Sequence, residues 1–162
     1  MSFKLSAQLD EVGNPNLPFQ MYASYLENNK HRFPKSVIDV ISNPNWSGGS
    51  QSNSPYYGQL VKVKIQNIGN STASLKLTLR KEMYVPKPFH VELLYSGLLK
   101  LNIPNQNNLS SNMTWRYEQF LYFDDYKNHT PQDKFFTHQI EWVSGEIWSI
   151  TAREIDVKCI DL

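Results

Sequence analysis

Four histidines, His31, His90, His129 and His138, and one cysteine, Cys159, are the residues of this chain best suited to metal or nucleophilic chemistry. No two histidines lie at a metal-ligand spacing and no second cysteine joins them, so neither a metal centre nor a disulfide is expected. His138 sits in a patterned segment, "FFTHQIEW", where it alternates with Phe136, Ile140 and Trp142 and therefore faces the core. A histidine there either hydrogen-bonds a neighbouring strand or joins a carboxylate in a site. Asp124 and Asp125 are the natural partners, because paired carboxylates can do acid–base work when their environments differ. Adjacent strand residues point to opposite faces, however, so these two form a dyad only if the strand has already ended. Solvated loop acids are the plainer reading. "YSG" and "VSG" lack the G-x-S-x-G of a nucleophile elbow. "SGGS" lacks the lysine and the preceding strand of a phosphate loop. No cofactor is expected.

The aromatic residues, 13% of the chain, are more telling. Trp115, Tyr117, Tyr122, Trp142 and Trp148 either fill an interface between sheet and helices or present a platform to a partner. Aromatic anchors beside acids suit a basic protein such as a nuclease. On that reading Trp115, Tyr122, Asp124, Asp125 and Tyr126, with His138, form the binding set. With 16 basic and 15 acidic residues the chain has no field for nucleic acid or an anionic membrane. Lys62 and Lys64 read as a solvated strand face. No apolar run approaches the roughly 18 residues of a membrane span. The opening "MSFKLSAQLDEVGNPN" has no charged head before an apolar run, so a cytoplasmic protein is expected. Cys159 reads as a small buried apolar residue.

These residues must be positioned by ordered elements. A short strand is expected over Phe3–Leu9. In "LPFQMYASYLENNKHRF", Phe19, Tyr22, Ala23 and Leu26 recur at helical spacing, and Pro34 ends this helix and opens a second with Val37, Ile38 and Ile41 inward. "SGGSQSNSP" is a polar joint. From Tyr57 the period changes to two: Val61, Val63 and Ile65, then Ala73, Leu75, Leu77 and Leu79, then Phe89, Val91, Leu93 and Tyr95, with Gly97 a bulge or bend before Leu99 and Leu101. Trp115–Phe123 puts Phe120 and Tyr122 on one face and Tyr117, Leu121 and Phe123 on the other. Ser144-Gly145 turns a hairpin into the next strand, and Ile155, Val157 and Cys159 form the last. Helices followed by hairpin-linked strands give a single α+β domain: helical over 1–46, a loop over 47–56, and an antiparallel sheet of six or seven strands over 57–162.

Three segments, "YASYLENNKHRFPKSVIDVISNPNW", "HVELLYSGLLKLNI" and "FLYFDDY" followed by "FTHQIEWVSGEIWSITAREIDV", resemble a family of small uncharacterised bacterial proteins. The shared features are two short helices before a sheet, a Tyr-x-Gly bend in a middle strand and a closing His-x-Ile hairpin. Such families often carry a His-Asp pair at the start of the first main strand. Tyr57 and Gly58 stand there in this chain, so chemistry by that pair would be lost. The resemblance implies an immunity-type inhibitor that binds a cognate toxin. The function expected is therefore non-catalytic protein binding. The alternatives are a small-molecule or glycan-binding domain, or a hydrolase using His138 and an Asp.

Overall fold

The computed structural model describes residues 16–46, 54–69, 71–103, 113–123 and 134–162. The expected strand over Phe3–Leu9 and the sites at Asp124, Asp125 and Tyr126 lie outside them. Two helices, α1 (Asn16–Asn29) and α2 (Lys35–Ile41), precede β1 (Gln59–Gln66), β2 (Ser74–Lys81), β3 (Phe89–Ser96), β4 (Lys100–Asn102), β5 (Trp115–Phe123), β6 (Phe135–Trp142), β7 (Ile147–Ala152) and β8 (Glu154–Asp161). The expected α+β class holds. The single sheet of six or seven strands does not: among the described residues eight strands form two antiparallel sheets, β1-β2-β3-β8 and β4-β7-β6-β5. No helix of the described residues is long and apolar enough to cross a membrane.

Two bends make this difference. At Gly97 one run of chain leaves the first sheet as β3 and enters the second as β4, and at Arg153 another passes from β7 to β8. The bends face each other. The Leu99 N–H donates to the Thr151 carbonyl at 2.8 Å and the Arg153 N–H to that of Ser96 at 3.1 Å, so pairing carries across the corner. Gly97 is required there. Its φ is 65°, and a Cβ would meet the Arg153 side chain at 3.0 Å. At the opposite side β1 and β5 join the sheets again, with the Leu60 N–H on the Met113 carbonyl at 2.8 Å and the Trp115 N–H on that of Gly58 at 2.9 Å.

Two bulges then decide which side chains turn inward. Val61 is the extra residue between the pairs Leu60↔Leu79 and Lys62↔Thr78. Leu60, Val63 and Ile65 therefore share the inner face, and Val61, expected inside, is exposed. Arg116 is the extra residue between Trp115↔Trp142 and Tyr117↔Glu141. It brings Trp115 onto the face of Glu118 and Phe120, where strict alternation would have put it with Tyr117. Elsewhere the alternation holds: Leu75, Leu77 and Leu79 of β2 and Val91, Leu93 and Tyr95 of β3 are fully buried. They meet Trp115, Phe136, Trp142 and Trp148 in one core. Each such side chain contributes about 1.5–3 kcal/mol through burial.

The helices close sheet edges. The inner stripe of α1 is Tyr22, Tyr25 and Leu26, while Phe19 and Ala23, expected to be apolar contacts, are exposed. Tyr22 and Tyr25 lie three apart and so share a face. Their hydroxyls accept the N–H groups of Phe120, at 2.6 Å, and Tyr122, at 3.0 Å, on the edge strand β5. Strand residues two apart present their amides on the same side, so one helical turn matches one strand repeat. On β8, the Ile155 N–H donates to Ser36 Oγ at 3.1 Å. Edge amides that would template another strand are thus occupied. Burial and the Glu118 charge push the Tyr22 hydroxyl well above 10, so it stays protonated. Replacing Tyr22 by Phe should destabilise the fold by about 1–3 kcal/mol, since the Phe120 amide loses its acceptor in a buried place. Urea denaturation of the variant checks this, and wild-type stability would show that the amide finds another acceptor.

Candidate functional site

His138 reaches the centre of the molecule through the parity of β6, Glu118 through its parity with Phe120 on β5, and the bulge at Arg116 brings Trp115 beside them. The His138 Nε2 lies 3.0 Å from Glu118 Oε2, and Nδ1 lies 2.7 Å from the Tyr95 hydroxyl on β3. Glu118 Oε1 also accepts Trp46 Nε1–H at 3.2 Å, from the turn after α2, and the Tyr56 hydroxyl at 3.4 Å, from the segment before β1. One protonation pattern satisfies all four bonds. A carboxylate accepts from His138 Nε2–H, Trp46 and Tyr56, and the neutral imidazole accepts the Tyr95 proton at Nδ1. The Tyr95 hydroxyl can donate because burial, and then the Glu118 charge, hold it well above 10.

The geometry is that of a catalytic acid–base pair, but its setting is closed. His138 is 0% exposed and Glu118 1%. Phe120 stacks on the imidazole with ring centroids 4.0 Å apart and planes 7° apart, and Trp115 lies at 5.5 Å. A base needs a substrate proton within about 3 Å, and here every approach is filled by protein. His138 is therefore held by a glutamate and presents no surface to a substrate or a partner. Removing one partner from a buried charged network leaves the other unsatisfied. Glu118→Gln sets an amide N–H₂ against donors and should destabilise the fold by about 2–4 kcal/mol in chemical denaturation. A variant as stable as wild type would mean that the carboxylate contributes nothing net.

The other members of the expected binding set divide. Trp115 is fully buried and packs edge-on against Trp46 and Trp142, so it belongs to the core and is not an exposed anchor. Tyr122 is half-buried, stacked on Tyr25 at 5.6 Å with the Arg32 guanidinium 4.6 Å from its ring. Trp142 and Trp148 are buried as well. Among the described residues no three His, Cys, Asp or Glu side chains converge as metal ligands. Cys159, expected inside, lies exposed on β8.

A second buried ion was not foreseen. Lys81 ends β2 on the inner face, is fully covered, and donates from Nζ to the Ser54 carbonyl at 2.8 Å. Strand parity alone carries it inward, since it follows Leu75, Leu77 and Leu79. Desolvation lowers its pKa to about 8, with the neighbouring Cys159 opposing the change. The folded value thus lies below the unfolded one. Above pH 8 the folded chain has released a proton that the unfolded chain still binds, so this group adds stability as pH rises. Cys159, exposed at its residue surface but with its thiol partly desolvated and so pushed up, works in the opposite sense. The stability of wild type minus that of Lys81→Met should therefore become more favourable from about pH 7 to about pH 10 in parallel denaturation curves. A flat difference would mean that Lys81 keeps an ordinary proton affinity.

Aromatic surface is found where the sequence patterns drew no attention. Tyr57 and Tyr84 are 46% and 63% exposed, their rings meet edge to face with centroids 5.0 Å apart, and Met83 beside them is exposed. Both tyrosines have left-handed backbones, φ 64° and 62°. Such a conformation costs a non-glycine residue about 1–3 kcal/mol and persists only where its surroundings impose it. For Tyr57 the surroundings are visible. Its N–H bonds the Trp115 carbonyl at 3.1 Å, and the Gly58 N–H bonds the Pro55 carbonyl at 2.9 Å. Gly58 is tightly enclosed, since a Cβ would meet that same carbonyl oxygen at 2.9 Å. In comparisons with known proteins, no family model, no curated protein and no solved structure matches this chain, so function is read from its geometry.

Proposed function

We propose that this domain works by recognition, binding a protein partner in a fixed ratio without turnover. The observation that carries this reading is the Tyr57–Tyr84 pair. Two large rings are held in solvent on strained backbone, beside an exposed methionine, while four tryptophans are kept inside. Strain maintained at an exposed aromatic pair is a mark of function, because the same rings could be presented from relaxed backbone at lower cost. Tyrosine anchors interfaces well, being large, stiff and able to hydrogen-bond at its tip. The sealed state of His138 supports binding over hydrolysis. An immunity-type inhibitor of a toxin is the most concrete form of this reading. The recognition surface then centres on Tyr57, Met83 and Tyr84, not on Trp115.

The test is a Tyr57→Ala/Tyr84→Ala double variant, used beside wild type to retain proteins from the native host. A partner held by wild type in a fixed ratio should be lost by the variant, with a loss of at least about 2 kcal/mol, or roughly thirtyfold, in affinity. Near-ultraviolet dichroism confirms that the variant keeps its core. If the partner is a toxic enzyme, an equimolar amount of the domain should abolish its activity. A partner held equally by both proteins would remove these tyrosines from the interface. Turnover that disappears with His138→Phe would end the reading.

A further inference from the structure

Two sheet edges are occupied: α1 takes amides of β5 through Tyr22 and Tyr25, and Ser36 takes that of Ile155 on β8. The edge of β1 is different. This strand ends the first sheet, and among the described residues its outer edge is joined to β5 only near its start, at Gly58, Gln59 and Leu60. The bulge at Val61 follows, and from Lys62 to Gln66 the strand is regular, in register with Thr78 to Ser74. An edge of this kind presents alternate amides and carbonyls to a further strand. Val63 and Ile65 lie half-buried on its inner side. Lys62 and Lys64 stand exposed on its outer side, where they form no ion pair among the described residues.

The charges on this edge repel one another. Lys64 lies directly opposite Lys76 on β2, and like charges so placed destabilise a sheet. The Lys76 ammonium reaches Glu92 on β3 at 3.8 Å, on the side away from β1, and so leaves Lys64 unrelieved. Edge lysines discourage edge-to-edge association. Antiparallel pairing with a second copy centred on Val63 would set Lys62 of each chain against Lys64 of the other, so the edge rejects its own copies. The same two charges favour a strand with carboxylates at alternate positions, about 6.7 Å apart as the lysines are. The outer faces of β1 and β2 carry no ring on which a nucleic-acid base could stack. We propose that the Lys62–Gln66 edge of β1 takes an acidic extended segment of a partner protein as a fifth strand of the first sheet, its carboxylates facing Lys62 and Lys64 and its apolar side chains covering Val63 and Ile65. The assignment needs neither Tyr57 nor Tyr84, so it can fail without the reading of those rings, and they without it.

Amide chemical-shift titration of the full chain tests this with the capped heptapeptide Thr-Glu-Val-Glu-Val-Glu-Thr. Its addition should shift the amides of Lys62 to Gln66. It should bind about tenfold more tightly than the counterpart with glutamine in place of glutamate, and less tightly as salt is raised. The counterpart with lysine should not bind. Lys62→Glu/Lys64→Glu should exchange the preference, taking the lysine peptide and losing the acidic one. Both positions are exposed and the change relieves Lys76, so this variant keeps its fold. Methylation of the central peptide nitrogens, which removes their N–H donors and keeps the charge, should abolish binding. An acidic peptide that leaves the β1 amides unshifted at millimolar concentration overturns the proposal. So does equal affinity for the glutamine peptide, or binding that survives methylation, which would make this a charged face and not a strand edge. Oligothymidylate bound more tightly than the acidic peptide, and lost in the lysine variant, would make it a nucleic-acid surface and equally overturn it. The Tyr57→Ala/Tyr84→Ala double variant should bind the peptide as wild type does. Loss of binding there would move the peptide to the tyrosines and overturn the edge.

Discussion

A carboxylate taken out of water must find donors, and Glu118 finds them on segments far from it in sequence. Trp46 follows α2, Tyr56 precedes β1, and His138 on the neighbouring strand passes the contact on to Tyr95 in the other sheet. The bonds cross between the helical layer and both sheets. Each donor is buried, where polar groups are satisfied by protein partners and not by bulk water. The network is more a condition on the fold than a source of net stability: the chain must assemble with these elements in this arrangement, or leave a charge stranded. Lys81 imposes a similar condition at the end of β2, where its ammonium ties down the segment that leads into Tyr57.

Around that centre the architecture follows from four local irregularities. Bulges at Val61 and Arg116 reset which side chains face inward, and bends at Gly97 and Arg153 hand two strands from one sheet to the other. Regular alternation would have left Trp115 on the outer face of β5. The irregularities also create the surfaces. The bulge at Val61 turns Lys62 and Lys64 to the outer face of β1, and the bonds joining β1 to β5 hold Tyr57 in its left-handed turn. Core and surface are therefore set by the same few backbone departures.

Much of the fold was legible. Alternation in β2 and β3 identified their inner residues, because a strand with one buried face repeats every two residues whatever it pairs with. His138 read as inward for the same reason. The helices at Tyr22 and Val37 followed from helical spacing and from Pro34. The candidate site was legible only in part. His138 could be placed inside, but its partner was sought among Asp124 and Asp125, since nothing in "WRYEQF" marks Glu118 as buried. Trp115 was offered as an anchor because burial and display look alike in a run of aromatic residues.

What the sequence determines by itself is periodic: which stretches are helix or strand, and which face of a regular strand is apolar. These depend on neighbours along the chain. What the tertiary structure decided depends on neighbours in space. A bulge exists only as a mismatch with a partner strand, and Trp115 turns inward only once Arg116 is the residue left over. Tyr22 can close an edge only when that edge is laid beside its helix, and Tyr57 and Tyr84 become one surface only when two turns are brought together. Pairing between distant segments, which no local pattern encodes, decided how a readable set of strands became two sheets around a sealed carboxylate.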